Sequence, residues 1–132
     1  MTEMKAVNPW TWQDKLAFAQ AVEVKGGERV LYCAGQTSVD ADGVPMHAGD
    51  MDKQIGQALD NLETVLAQAQ LTLAHVVRLN YYTTDLDAFR KAGATRHARL
   101  GAARCNPSGT LLVVSGLFHP DILVEIEATA VA

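Results

Sequence analysis

The residues best suited to chemistry are two carboxylates near the end of the chain, within Leu123-Val124-Glu125-Ile126-Glu127-Ala128. Side chains alternate along a β-strand, so Glu125 and Glu127 are expected to share one face. A carboxylate pair in an apolar strand is costly unless it is solvated, paired or used. Glu125 is a candidate general base or water-positioning group, and burial would raise its pKa toward neutrality. A solvated or paired carboxylate is the alternative, and structural pairing is favoured for Glu127.

Other chemically active side chains are scattered. His119 precedes Pro120 in a predicted turn and is a candidate acid or base, although an exposed loop histidine fits the same sequence. The four histidines share no ligand spacing, so no metal site is predicted. Cys33 and Cys105 form no CxxC motif and are expected to be reduced, inert thiols. No Walker, GxSxG or dinucleotide GxGxxG pattern occurs, so no cofactor is predicted.

Length and composition predict one globular domain over residues 1–132. The chain has 132 residues, 20% of them charged, and a net charge of −4. No basic stripe is visible, which argues against a nucleic-acid partner. No run of about 18 apolar residues indicates a membrane span, and the segment Met1–Lys5 lacks a signal-peptide core, so a cytoplasmic location is expected.

The middle of the chain predicts a long amphipathic helix. Asp50 is in position for an N-cap. Apolar residues then recur at the helical spacing i, i+3, i+4 and i+7. They are Met51, Ile55, Ala58, Leu59, Leu62, Val65, Leu66 and Ala69. One face of this helix is therefore expected to pack on the core.

The remaining segments predict strands and a second helix. Residues 16–24 and 29–35 are predicted to form a hairpin across Gly26-Gly27. The other predicted elements are a strand at 75–84, a helix at 85–100 with an interior Gly93, and two neighbouring closing strands at 111–114 and 123–128 joined by a short turn. The order ββ-α-β-α-ββ indicates one mixed sheet with two helices packed on one face.

The strand Leu111–Val114 also predicts an oligomer. It is apolar on both faces, whereas a sheet covered by helices on one side only should alternate. Nothing else in the chain is left to cover the second face. We therefore expect a homo-oligomer in which sheets pack face to face or close into a shared barrel.

Four segments resemble the Rid family (reactive intermediate deaminase, also called YjgF). They are Leu31-Tyr32-Cys33-Ala34-Gly35-Gln36-Thr37-Ser38, Gln54-Ile55-Gly56-Gln57-Ala58-Leu59-Asp60-Asn61-Leu62, Val77-Arg78-Leu79-Asn80-Tyr81-Tyr82-Thr83-Thr84-Asp85 and Leu123-Val124-Glu125-Ile126-Glu127-Ala128. The resemblance implies an α/β (α+β) fold of the chorismate-mutase type and a homotrimer with a central barrel and clefts between subunits. It also implies hydrolysis of reactive enamines or imines to ketoacids and ammonia.

The family's functional positions match this sequence only in part. Where the deaminase branch has an Arg that forks onto a substrate carboxylate, this chain has Gly109. The family's cleft Asn, Tyr and Ser fall at Gly93, Phe18 and Ala34. Glu125 matches the family's cleft Glu.

Two further residues enter the expected site. Thr110 remains where the family has Ser or Thr, and His119 is placed at the cleft mouth. Arg104, five residues before Gly109, is a candidate substitute for the missing cation.

The resemblance leaves three functions open. The first is a Rid-like hydrolase of altered specificity, with Glu125 as base and a small-molecule substrate that is neutral or differently charged and bulkier near Gly109. The second is a ligand-binding trimer without catalysis, because four polar cleft positions are small or apolar. The third is the ribonuclease or translation-inhibitor role of some relatives, which the acidic charge opposes.

Overall fold

A computed structural model describes all residues, 1–132, as a mixed sheet with helices packed against it. The strands are β1 Glu3–Val7, β2 Ala21–Lys25, β3 Val30–Tyr32, β4 Val76–Thr83, β5 Leu111–Val113 and β6 Val124–Val131. The helices are α1 Met51–Gln68, α2 Leu86–Lys91 and α3 Gly93–Ala102, with a short 3-10 turn at Leu73–His75.

Helix α1 forms where its spacing predicts it. The Asp50 side chain caps the helix by accepting a hydrogen bond from the Lys53 N–H at 3.0 Å. Six residues of the predicted apolar face are buried, but Val65 is exposed and Ala69 is half-buried at the C-cap, just outside the helix. Gln54 is buried in addition. None of the helices is long and apolar enough to cross a membrane.

The main sheet has the strand order β3-β6-β4-β5. Strand β6 is antiparallel to both of its neighbours, and β5 is parallel to β4. Along β6, Val124, Ile126 and Ala128 are buried against the helices, and Glu125 and Glu127 lie on the opposite face. The predicted fold class, α+β with a mixed sheet and helices on one face, is confirmed. The trimeric barrel stays a prediction.

Two predicted strand pairings are wrong. Strand β2 pairs with the N-terminal strand β1, which the sequence did not indicate, and β3 pairs with β6. The N–H groups of Glu28 and Arg29 donate to the Ala132 carbonyl, so the chain after β2 is directed to the end of β6. The closing strands β5 and β6 are not neighbours, because β4 lies between them. Their connection therefore crosses the end of β4 and is not a tight hairpin turn.

The predicted second helix is two helices, α2 and α3. Ala92 leaves the helical conformation at φ −91° and ψ 13°, directly before Gly93. Glycine is a poor helix former, so a break costs little here. The break makes Gly93 the first residue of α3.

Strand β5 leaves apolar surface uncovered in one protomer. Leu111 is 39% exposed, Leu112 is 48% exposed and Val113 is 58% exposed. Burial of this surface by further copies of the chain stays a prediction.

Gln54 connects α1 to two distant loops. Its side chain is fully buried, and its Nε2 donates to the carbonyl oxygens of Asp121 at 2.7 Å and His47 at 3.1 Å. Its Oε1 accepts from the Leu123 N–H at 2.8 Å. These three bonds fix the residues that lead into β6, so Gln54 also positions Glu125.

Replacing Gln54 by Ala is expected to destabilise the protein. The change removes the side-chain partner of the Asp121 carbonyl and of the Leu123 N–H and one of the two donors to the His47 carbonyl, at a cost of about 2–4 kcal/mol. Urea unfolding measures this loss. Gln68→Ala, at an exposed position of the same helix, is the matched control and should be near neutral. Equal stability of the two variants would contradict the role given to Gln54.

Candidate functional site

A cavity of about 400 Å³ lies between the segment Leu16–Phe18, the junction of α2 and α3, and the edge of the sheet. Four of the sequence-predicted site residues line it: Phe18, Gly93, Gly109 and Thr110. The structure therefore brings together residues that lie up to 92 positions apart in the chain (from 18 to 110). Leu79 and Tyr81 form its floor on the helix side of β4.

A backbone hydrogen bond fixes the side of the cavity formed by Leu16–Phe18. The Ala19 N–H donates to the Pro107 carbonyl at 2.9 Å, which ties the segment Leu16–Phe18 to the residues just before β5. The Phe18 ring also packs edge-on against Trp12, with ring centroids 5.9 Å apart. An aromatic side chain thus closes one side of the cavity.

Gly109 sits where two backbones approach closely. A Cβ at this position would collide with the Leu79 carbonyl oxygen. The flanking bonds are regular, since Leu79 N–H donates to Ser108 O and Tyr81 N–H to Thr110 O. Between them the Thr110 N–H donates to Asn80 Oδ1 at 3.1 Å. Glycine at 109 therefore meets a backbone requirement, and the position does not offer free space for a bulkier substrate.

The positive charge of the cavity comes from residues that the sequence did not single out. Arg90, Arg96 and His97 line it together with Gly93, and no Asp or Glu does. Neither Arg90 nor Arg96 has a carboxylate within 4.0 Å. The sequence did contain a signal for this grouping, because positions 90, 93 and 97 are spaced as residues on one face of the predicted helix. Arg104, the expected substitute, lies in a neighbouring pocket instead.

The two carboxylates of β6 lie on the other face of the sheet and have different environments. Glu127 Oε1 accepts hydrogen bonds from the Tyr82 hydroxyl at 2.6 Å and Asn80 Nδ2 at 3.0 Å. These bonds hold the pKa of Glu127 below its usual value. The pKa of Glu125 is raised, first by burial and then by the charge of Glu127. No hydrogen bond contributes to this shift. Glu127 is thus a hydrogen-bonded carboxylate with a structural role, and Glu125 is the member of the pair suited to proton transfer.

The Glu125 carboxylate lies next to Gly35, in the first of the four segments that resemble the Rid family. A Cβ on Gly35 would collide with the Glu125 carboxylate, so the glycine leaves room for it. Ala34 and Gly35 run alongside β6, since Cys33 N–H donates to Ala128 O and Gln36 N–H to Ile126 O.

The predicted site residues therefore fall into two groups within one protomer. Phe18, Gly93 and Gly109 line the cavity on the helix side, whereas Glu125 and Ala34 belong to the opposite face. Thr110 also borders the cavity, but its hydroxyl accepts a hydrogen bond at 3.4 Å from Arg78 Nη2, which lies on the face of the carboxylates. His119 joins neither group. It lies in the loop before β6, where its Nδ1 accepts a hydrogen bond from the Asp121 N–H at 3.1 Å.

Comparison with known proteins assigns the family. The sequence model of the family described as Endoribonuclease L-PSP matches residues 13–132. The chain belongs to the Rid/YjgF family. The Rid-family protein YyfB of Yersinia pestis has a similar structure, with 34% identity, 98% coverage of both chains and a TM-score of 0.82.

Two further proteins are similar to this chain. Protein DfrA of Myxococcus xanthus is 32% identical over 87% of this chain and 85% of its own length. The Escherichia coli yjgF product is 28% identical over 86% of this chain and 87% of its own, with a TM-score of 0.70. The family predicted from four short segments is confirmed.

The close approach at Gly109 gives a stability prediction. Gly109→Ala forces β5 away from β4 and should cost about 1–3 kcal/mol, the range for overpacking. Gly56→Ala is the matched control, because a Cβ there meets nothing within 4 Å and alanine favours helix by up to about 1 kcal/mol. Urea unfolding of both variants gives the comparison. If Gly109→Ala is as stable as the parent protein, β5 has freedom that its hydrogen bonds do not suggest.

Proposed function

We propose that this protein is a hydrolase that converts a small imine or enamine to a carbonyl compound and ammonia. Membership of the Rid/YjgF family supports a small-molecule deaminase-like or an endoribonuclease-like role. The observation that carries the proposal is the cavity lined by four of the expected site positions, Phe18, Gly93, Gly109 and Thr110. A cavity of about 400 Å³ suits a small metabolite.

Glu125 is proposed as the proton acceptor. A water attacks the imine carbon while the Glu125 carboxylate takes one of its protons. The nitrogen receives that proton from Glu125 and a second proton from the hydroxyl of the tetrahedral adduct. The C–N bond breaks, the nitrogen leaves as ammonia, and the water oxygen remains as the carbonyl oxygen. A raised pKa suits this role, because a base is most effective when its pKa is near the working pH.

The proposed site lies between copies of the chain. Within one protomer Glu125 and the cavity are on opposite faces of the sheet, so one copy alone does not join them. Family members are commonly homo-oligomeric. The exposed strand β5, which borders the cavity, would be covered in a trimer in which a second copy supplies its Glu125 to this cleft.

A ligand-binding trimer without catalysis is the second candidate. The separation of Glu125 from the cavity in one protomer favours it, as does the absence of a polar side chain at Gly109 and Ala34. The endoribonuclease role ranks below both, because a chain of net charge −4 is poorly suited to a polyanion.

Glu125→Gln tests catalysis directly. With 2-iminopropionate generated enzymatically in the assay, the parent protein should accelerate pyruvate and ammonia release, and Glu125→Gln should lose roughly 10²–10⁴-fold of that rate. Glu127→Gln is the matched control, since its amide oxygen can still accept from Tyr82 and Asn80. It should keep most of the activity.

The pH dependence gives a second readout of the same experiment. The rate should fall as the pH drops through the raised pKa of Glu125, above the ordinary Glu value of about 4.3. The raised folded-state pKa also means that ionised Glu125 costs stability as the pH rises through it. Glu125→Gln should therefore be no less stable than the parent at pH 7. Unchanged turnover in Glu125→Gln, or binding of imine analogues without any turnover, favours the second candidate.

A further inference from the structure

Arg96 on α3 is held in the cavity without an anionic partner. Its guanidinium carbon lies 4.7 Å from the ring centroid of Phe89 and 4.9 Å from that of Tyr81. Its Nε is buried and has no hydrogen-bond partner. One Nη2–H donates to His97 Nε2 at 3.1 Å. The aromatic rings position the cation but do not satisfy its donors.

The surroundings offer no negative charge to Arg96. Burial raises the pKa of Tyr81 to about 12, so its phenol is neutral. Burial, and then Arg96 itself, lower the pKa of His97, so its imidazole is neutral at pH 7. Arg90 adds a second positive charge to the same cavity.

A partly buried guanidinium with an open donor edge is costly unless an anion completes it. Planar carboxylates match the fork of its N–H groups. Gly93 provides the space, because Arg96 Nη2 lies 3.7 Å from the place where a Cβ at 93 would be. Leu16, Phe18 and Leu111 give the rest of the cavity an apolar lining.

We propose that Arg96 is the carboxylate-binding residue of this cavity and that the ligand is a small carboxylate with an apolar side chain. That this carboxylate belongs to a substrate rests on the proposed hydrolase function. The carboxylate site itself does not depend on that function. It replaces the sequence-based expectation of a neutral or differently charged substrate, because the cation enters from α3 and not from the position of Gly109. It also replaces Arg104, which lies outside the cavity.

The test measures binding separately from turnover. Calorimetric titration compares 2-oxobutyrate with its neutral amide, which has nearly the same shape. The parent protein should bind the carboxylate at least roughly tenfold more tightly, and Arg96→Met should lose this preference, because Met keeps the apolar stem but not the charge. Arg96→Lys, which keeps the charge but not the fork, should retain part of it. Arg104→Met is the matched control and should behave as the parent.

Each result decides between the two proposals. The carboxylate site is overturned if the parent binds carboxylate and amide equally, if Arg96→Met keeps the parent's preference for the carboxylate, or if the parent binds neither at about 10 mM. Arg96-dependent carboxylate binding without any imine turnover supports this site and overturns the hydrolase. Imine turnover by the parent that is undiminished in Arg96→Met, together with no carboxylate preference in the parent, supports the hydrolase and overturns the carboxylate site. Thermal unfolding of each variant checks that the fold is intact.

Discussion

The two-residue alternation of strand β6 is the constraint on which the rest of the structure depends. Val124, Ile126, Ala128 and Ala130 are buried on one face, and the same alternation places Glu125 and Glu127 on the other. A slip of one residue would exchange the two sets. Because β6 is hydrogen-bonded on both sides, by β3 and β4, its register also sets that of the whole sheet.

The sheet thereby separates the cations of the cavity from the two carboxylates of β6, which share their face with Arg78. On the helix side, Arg90 and Arg96 enter a cavity that no carboxylate lines. On the other side, Tyr82 and Asn80 lower the pKa of Glu127 through their hydrogen bonds, and the charge of Glu127 helps to raise the pKa of Glu125. A site that captures an anion and moves a proton needs both regions. In this chain the need for both is a physical argument for a cleft shared between copies.

The glycines at positions 35, 93 and 109 differ in what surrounds them. The loss of a polar side chain found in relatives does not by itself account for all three. At Gly109 the Leu79 carbonyl excludes any Cβ, and at Gly35 the Glu125 carboxylate does. At Gly93 an ordinary contact distance to Arg96 leaves room for a side chain. Loss of a polar side chain is therefore a better description of position 93 than of position 109. At position 109 the close approach of the Leu79 carbonyl requires glycine.

The sequence alone determined the features whose causes are local. The capped helix α1, the alternation of β6 and the family all follow from residues close together in the chain, such as Asp50 with Lys53 or Glu125 with Glu127. Only the tertiary structure decided which strands pair, because β3 finds β6 about a hundred residues away and β5 lies next to β4 instead of β6. It also decided that Arg96 rather than Arg104 enters the cavity, since that depends on the break at Ala92 and on aromatic rings from two other elements.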